Sequence, residues 1–260
     1  LVLMDGTGRV VPAERYLPRG GEAGCDPVQW EGRLVYALME LRPMPAGDAD
    51  ALLRSLLRAM RLADRRIGDR TLAWLSGGLP HAELPIGGHL HFSGVALTER
   101  LLRALDNYLA LPAVMLEDEA SLRRRPRFGF LGDFRRKPHG GFEYRTLPSW
   151  MATPQIALAL LTLAQLVVRN AEQLKQRPLH DPDVQAHFYA GDKEALRHWI
   201  PLLWSDLERL TEYAAYRKRL DGLKQRLLRG ESWNGYADIR PAWKIIPAAL
   251  KIGNEREIMV

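Results

Sequence analysis

The sequence holds one cysteine, Cys25, so no disulfide can form within it; the lone thiol carries no assigned role and favours a reducing compartment. Long apolar runs are missing too. The longest, Ile156 to Val168, contains Thr162 and Gln165 and falls short of the roughly 20 residues that a bilayer span needs, so it reads as a core helix and no membrane partner is expected. No charged segment followed by an apolar one opens the chain, which leaves secretion without support and makes a cytoplasmic location the expectation. Internal repeats and low-complexity tracts are absent. Acids are in short supply: 31 Asp+Glu stand against 37 Lys+Arg, and the formal charge of +6 suits a nucleotide, a nucleic acid or an acidic polypeptide as partner. An initiating methionine is also missing. Leu1-Val2-Leu3-Met4 reads as strand interior before the turn Asp5-Gly6-Thr7-Gly8, so native sequence is expected upstream.

What is plentiful is apolar residues, 47% of 260, alongside 26% charged residues. That balance buries a substantial core and excludes chain-wide disorder. One domain is expected over 1–260, sheet-rich through 1–150 and helical over 151–260. The breakers Pro12, Pro18, Gly20, Gly21 and Gly24 predict a loop, followed by an extended run from Arg33 to Leu41 that Pro43 and Pro45 end. Asp48 is placed to cap a helix with Leu52, Leu53, Leu56, Leu57, Met60 and Ile67 on one face and Arg54, Arg58, Arg61 and Arg65 on the other. Leu101, Leu102, Leu105 and Leu109 predict a second helix, ending before Pro112. Arg123, Arg124, Arg125, Arg127, Arg135, Arg136 and Lys137, with Asp133 as the single acid among them, read as a basic loop, and Phe142 to Leu147 as a short strand. Thr153-Pro154 starts a helix that runs to Asn170; Asp192 opens further helix, restarted at Pro201, and a Trp-rich tail spans Trp233 to Trp243. Strands in the first part, without sustained strand-helix alternation, predict an α+β fold with a mainly antiparallel sheet.

Three short patterns carry chemistry. Gly87-Gly88 lead into His89-Leu90-His91-Phe92, where period-two spacing sets both imidazoles on one strand face. Glu143 and Arg145 share a face by the same spacing, directly after the basic loop, and Glu40 with Arg42 repeats the Glu-x-Arg pattern. Carboxylates suit magnesium, while arginines give paired donors to phosphate oxygens. The same residues also suit plainer roles: ion-paired strand ends, or histidines satisfied by hydrogen bonds. Zinc would need more ligands, and His81, His139, His180, His187 and His198 offer no recognised spacing. The basic loop, with Phe128, Phe130 and Phe134, is also suited to nucleic acid.

Taken in order, Met39-Glu40-Leu41-Arg42-Pro43, Gly87-Gly88-His89-Leu90-His91-Phe92, Gly132-Asp133-Phe134-Arg135-Arg136-Lys137-Pro138-His139-Gly140 and Phe142-Glu143-Tyr144-Arg145-Thr146 resemble the phage-type COOH-NH2 ligases, type 2 amidoligases of the glutamine synthetase superfamily. The resemblance spans nearly the whole chain, including the helix after Thr153 and the tail Trp233-Asn234-Gly235-Tyr236-Ala237-Asp238-Ile239-Arg240. It implies a curved, mainly antiparallel sheet of the glutamine synthetase catalytic type, backed by helices, with ATP and metal on its concave face. It further implies an ATP-dependent, ADP-forming ligase that joins a carboxylate substrate to an amine substrate, peptide or amino acid, through an acyl phosphate. His89, Glu143 and Glu40 match metal positions, with magnesium expected and manganese as an alternative ion. His91, Arg127, Arg135, Lys137 and Arg145 match nucleotide-binding positions, and Glu40, Glu143 and Arg145 those that carry catalysis.

One family feature is missing. An early acidic strand, usually Asp-Pro-Glu followed by an apolar residue, has no counterpart; Asp26-Pro27 is followed by Val28 and is expected in a loop, so the role is not transferred to it. Either the acids lie upstream of Leu1, or the chain is a catalytically impaired ligase-fold subunit. The function class that competes with ligation is nucleic-acid binding through residues 123–137.

Overall fold

The computed structural model describes residues 1–245 except Glu31 and His139; His139 and residues 246–260, which the expected domain includes, lie outside the described residues. The strands are β1 (Val2–Met4), β2 (Ala23–Trp30), β3 (Arg33–Leu41), β4 (Ala73–Leu75), β5 (Leu90–Phe92), β6 (Phe134–Arg136) and β7 (Phe142–Tyr144). Among the described residues they pair as three small antiparallel sheets, β1 with β4, β2 with β3, and β5-β7-β6 with β7 in the middle. Helices α1 (Ala49–Ile67), α2 (Glu99–Leu105), α3 (Leu111–Leu116) and α4 (Glu119–Leu122) fall between the strands, and α5 (Pro154–Asn170), α6 (Pro182–Ala190), α7 (Lys193–Arg197), α8 (Trp199–Leu207) and α9 (Tyr213–Leu228) follow them. The architecture is α+β.

Local chemistry explains the helix starts. Asp48 accepts from the Ala51 amide at 2.7 Å, and Thr153 from the Ile156 amide at 3.2 Å ahead of Pro154, whose missing N–H costs nothing at that position. Helix α5 is apolar nearly all round and is accordingly buried, with α1, α2 and α9 packed on it. Helix α1 sets Leu56, Met60, Ala63 and Ile67 into the same core as Ala23, Cys25 and Met39 of the β2-β3 sheet. The tail closes over this core: the Trp233 amide donates to Leu116, the Ile239 amide to Trp74, and the Trp243 indole to the Met151 carbonyl at 2.8 Å.

Three expectations change. The loop expected from Pro12 to Gly24 holds only to Glu22, and strand β2 starts at Ala23 and contains Asp26-Pro27, a pair expected in a loop; the proline is tolerated because the ladder shifts register between Asp26 and Val28. The second helix does not stop at Pro112. A π turn over Asp106–Ala110 carries it on, the Leu111 amide reaching back to the Asp106 carbonyl, and Pro112 then sits in the first turn of α3. Within the basic loop, Phe134–Arg136 is strand β6. Helix α6, capped by Asp181, precedes the helix expected at Asp192, in keeping with the helical part expected over 151–260. Among the described residues no helix is long and apolar enough to cross a membrane.

Candidate active site

Glu143 lies at the centre of strand β7, and its register partners are His91 on β5 and Arg135 on β6. Directly opposed residues of an antiparallel pair share a face, so all three project to one side. The Glu143 side chain is only 1% exposed, yet four cationic or potentially cationic groups reach it. Arg135 donates to Oε2 from Nε at 2.9 Å and Nη2 at 2.7 Å, and Lys137 Nζ lies 2.6 Å from the same oxygen. On Oε1, His89 Nδ1 stands at 2.9 Å and Arg145 Nε at 3.5 Å. Burial alone would raise the Glu143 pKa; hydrogen bonds from Lys137 and Arg135, with the His89 and Arg135 charges, outweigh it and bring the carboxyl down to about 2.

His89 moves the other way. Burial lowers its pKa, and although Glu143 opposes this, Arg145, Arg124 and His91 reinforce it, leaving the ring at about 4 and neutral at pH 7. A neutral ring meets a carboxylate as the Nδ1–H tautomer, which leaves the Nε2 lone pair as its acceptor. Gly87 makes room for that ring, since a Cβ there would come within 2.5 Å of His89 Nε2. Gly88 allows a second close approach: its added Cβ would lie 2.5 Å from the Pro148 carbonyl oxygen. The Gly-Gly-His sequence is thus a packing requirement of this strand pair.

Glu40 sits near the end of β3, ion-paired with Arg42. Its carboxyl is pushed up by burial first and Asp26 next, with Glu143 also contributing, which couples it to the β7 carboxylate. Asp26 pairs across the ladder with Leu38 and therefore shares Glu40's face, with Arg42 Nη2 3.9 Å away. Sequence reasoning set Asp26 aside as a loop residue; its strand position brings it beside Glu40. Arg127 is exposed and turned to the Phe128 ring, with 5.4 Å between guanidinium and centroid, rather than to Glu143.

Two arginines of the basic segment are interior. Arg124 donates to the Thr146 and Leu147 carbonyls at 3.3 and 3.2 Å, and Arg125 forms a two-point pair with Glu117 in which the side chains are 1% and 0% exposed. Arg124 braces the chain after β7, Arg125 is tied to Glu117 at the end of α3, and neither is available to a nucleic acid. Asp106 was also not anticipated: it accepts from the Tyr144 hydroxyl at 2.7 Å and the Gly132 amide at 3.0 Å, tying the entry to β6 and the body of β7 to the π turn. Burial pushes its carboxyl up to about 6 against the pull of those two bonds. Nothing in the local sequence marks this role.

The family model described as phage phiEco32-like COOH.NH2 ligase type 2 matches residues 1–245. The chain belongs to this family. No curated protein and no solved structure matches it. Within this COOH.NH2 ligase, three lasting cations, Arg135, Lys137 and Arg145, surround one buried carboxylate, so the cluster carries surplus positive charge of the kind that phosphate oxygens neutralise. Among the described residues no three His, Cys, Asp or Glu side chains are grouped closely enough to hold a metal ion by themselves. Magnesium is commonly held by one or two carboxylates together with substrate phosphates, and the ionised Glu143 oxygens fit that donor chemistry.

Proposed function

We propose that this ligase activates a carboxylate with the γ-phosphoryl group of ATP and then joins it to an amine. The observation that supports this best is the over-compensated Glu143 on an open sheet face. In the first step a carboxylate oxygen attacks the γ-phosphorus, the bond to the leaving oxygen of ADP breaks, and an acyl phosphate forms. In the second the amine attacks the acyl carbon, the bond to phosphate breaks, and the nitrogen gives up a proton. Arg135, Lys137 and Arg145 bind and orient the phosphates, with His91 on the same face; Arg127, turned to Phe128, would have to swing from that ring to join them. Glu143 holds those cations in place. Glu40, its carboxyl shifted upward by burial and Asp26, is the group suited to take the amine proton. Magnesium, or manganese, would be held by Glu143, Glu40 and His89 only together with the ATP phosphates, since the three do not form a metal cluster by themselves, and when bound would offset the phosphate charge. The three small sheets would then be parts of one curved surface of the glutamine synthetase type, with Glu143 on its concave side.

Hydroxylamine serves as a general amine in the test, because it converts an acyl phosphate to a hydroxamate. With ATP, magnesium and glutamate-containing peptides as carboxylate donors, ADP and hydroxamate should appear in equal amounts, and Glu143→Ala and Arg145→Ala should abolish both. Unchanged ATP binding by calorimetry in both variants would remove the site assignment.

A further inference from the structure

The arginines on the outer face of α1 take no part in the site above. Arg54, Arg58, Arg61 and Arg65 follow one another at four-, three- and four-residue steps, which places them in a single stripe along the helix. All four are exposed, and no ion pair among the described residues engages any of them. The acids that helical spacing could offer have nearer partners: Asp50 pairs with Arg219 at 2.9 Å, with Arg54 a weaker neighbour, Asp64 with Arg70 at 2.7 Å, and Asp48 accepts the capping bond from Ala51. A surplus of four like charges on one helix face disfavours the isolated protein by self-repulsion and favours an anionic partner.

Beside the stripe lies a cleft of about 600 Å³, with Arg54, Arg58 and Arg61 on the helix side and Met44, Pro45 and Leu57 among its aliphatic lining. Met44 is 56% exposed, an apolar side chain left uncovered at the rim. The cleft belongs to the opposite side of the β2-β3 sheet from Glu40 and Asp26. Ala23, Cys25 and Met39 face the core shared with α1, and the alternating positions carry the two acids outward on the other face.

We propose that this cleft is a docking site for an extended acidic polypeptide segment, in which carboxylates meet the arginines and intervening aliphatic side chains cover Met44, Pro45 and Leu57. From Arg54 to Arg61 the helix rises about 10 Å, the length of about three extended residues, so alternate acidic side chains of one strand match the stripe. Single-stranded nucleic acid offers the same charge but is usually held by aromatic stacking, and no aromatic side chain lines the cleft. The site is separate from the ligation centre, and its existence does not depend on the ligase chemistry proposed above.

Fluorescence anisotropy with the full chain decides the matter, using a labelled twelve-residue peptide of alternating glutamate and leucine and a labelled twelve-nucleotide single strand. The peptide should bind more tightly than the oligonucleotide, and Arg58→Glu with Arg61→Glu should weaken it by about tenfold or more. Met44→Asp should also weaken it, whereas Arg9→Glu with Arg33→Glu, which reverses the same charge elsewhere, should change affinity by less than about threefold. Equal peptide affinity in the wild type and the Arg58/Arg61 variant, equal weakening by the two charge-reversed pairs, or tighter binding of the oligonucleotide would each overturn the proposal.

Discussion

Glu117 and Glu143 are both buried carboxylates held by arginine, and they are held in opposite ways. Glu117 and Arg125 form a closed pair, both side chains essentially without solvent access, with the charges balanced one to one. Glu143 is equally buried, but Arg135, Lys137 and Arg145 around it keep 56%, 20% and 35% of their side-chain surface exposed. The first arrangement spends its charge internally and ties the residue that ends α3 to the chain beyond α4. The second leaves donors facing outward with more positive charge than one carboxylate neutralises. Burial of the acid is common to both; exposure of its partners separates the scaffold pair from the candidate site.

Perturbing the closed pair should have the largest effect on stability. Glu117→Ala leaves Arg125 buried without its partner and should cost about 3–5 kcal/mol by chemical denaturation. A loss under about 1 kcal/mol would show that the pair is dispensable to the scaffold. At Glu143 the effect should depend on pH. A folded-state pKa near 2 against an ordinary 4.5 stabilises the fold by about 3 kcal/mol above pH 4.5, and that contribution disappears as the pH falls toward 2. The stability difference between wild type and Glu143→Gln should therefore shrink with acidification across that window, and a difference constant from pH 7 to pH 2.5 would contradict it.

Asp106 has the reverse sign. Its folded pKa near 6 lies above the ordinary 3.8, so its protonated form is the stabilising one and its contribution is lost as pH rises through 6. His89 acts oppositely in an overlapping range, since its lowered pKa makes the fold less stable as pH falls from 6.5 toward 4. Each is therefore measured as a difference between wild type and a single variant. Asp106→Asn should gain relative to wild type, by about 1–2 kcal/mol, as pH is raised from 4 to 7. A flat difference would place the Asp106 carboxyl in the ordinary range. The smallest stability change is expected for Arg135→Ala, about 0–1 kcal/mol because its guanidinium is exposed, and the same substitution should weaken ATP binding by about tenfold.

Much of the site was legible because strand spacing and strand register are linked. Period two put His89 beside His91 and Glu143 beside Arg145 on shared faces, and the antiparallel pairing then set His91 and Arg135 opposite Glu143. Caps made the starts of α1 and α5 readable from Asp48 and Thr153-Pro154. The misses have a common cause: a tertiary contact outweighed a local preference. Pro27 and Gly24 argue against a strand until a register shift accommodates the proline and β3 supplies the pairing. Pro112 argues for a helix end until a π turn relocates the missing donor. Arg124 and Arg125 look like solvated charges until Glu117 and the carbonyls after β7 surround them. Asp26 was set aside because Val28 breaks the acidic pattern and because a loop was expected there; only the loop assignment was wrong.

The contrast between open and closed carboxylates is tested most directly by calorimetric titration of ATP with magnesium into wild type and into the double variant Arg135→Ala with Arg145→Ala, with thermal unfolding followed on the same samples. The expected result is a loss of ATP affinity of about a hundredfold or more at a temperature where thermal unfolding shows both proteins folded, because the exposed donors are the groups proposed to meet the phosphates. Unchanged ATP affinity in the double variant would contradict the assignment of the Glu143 cluster as the nucleotide site.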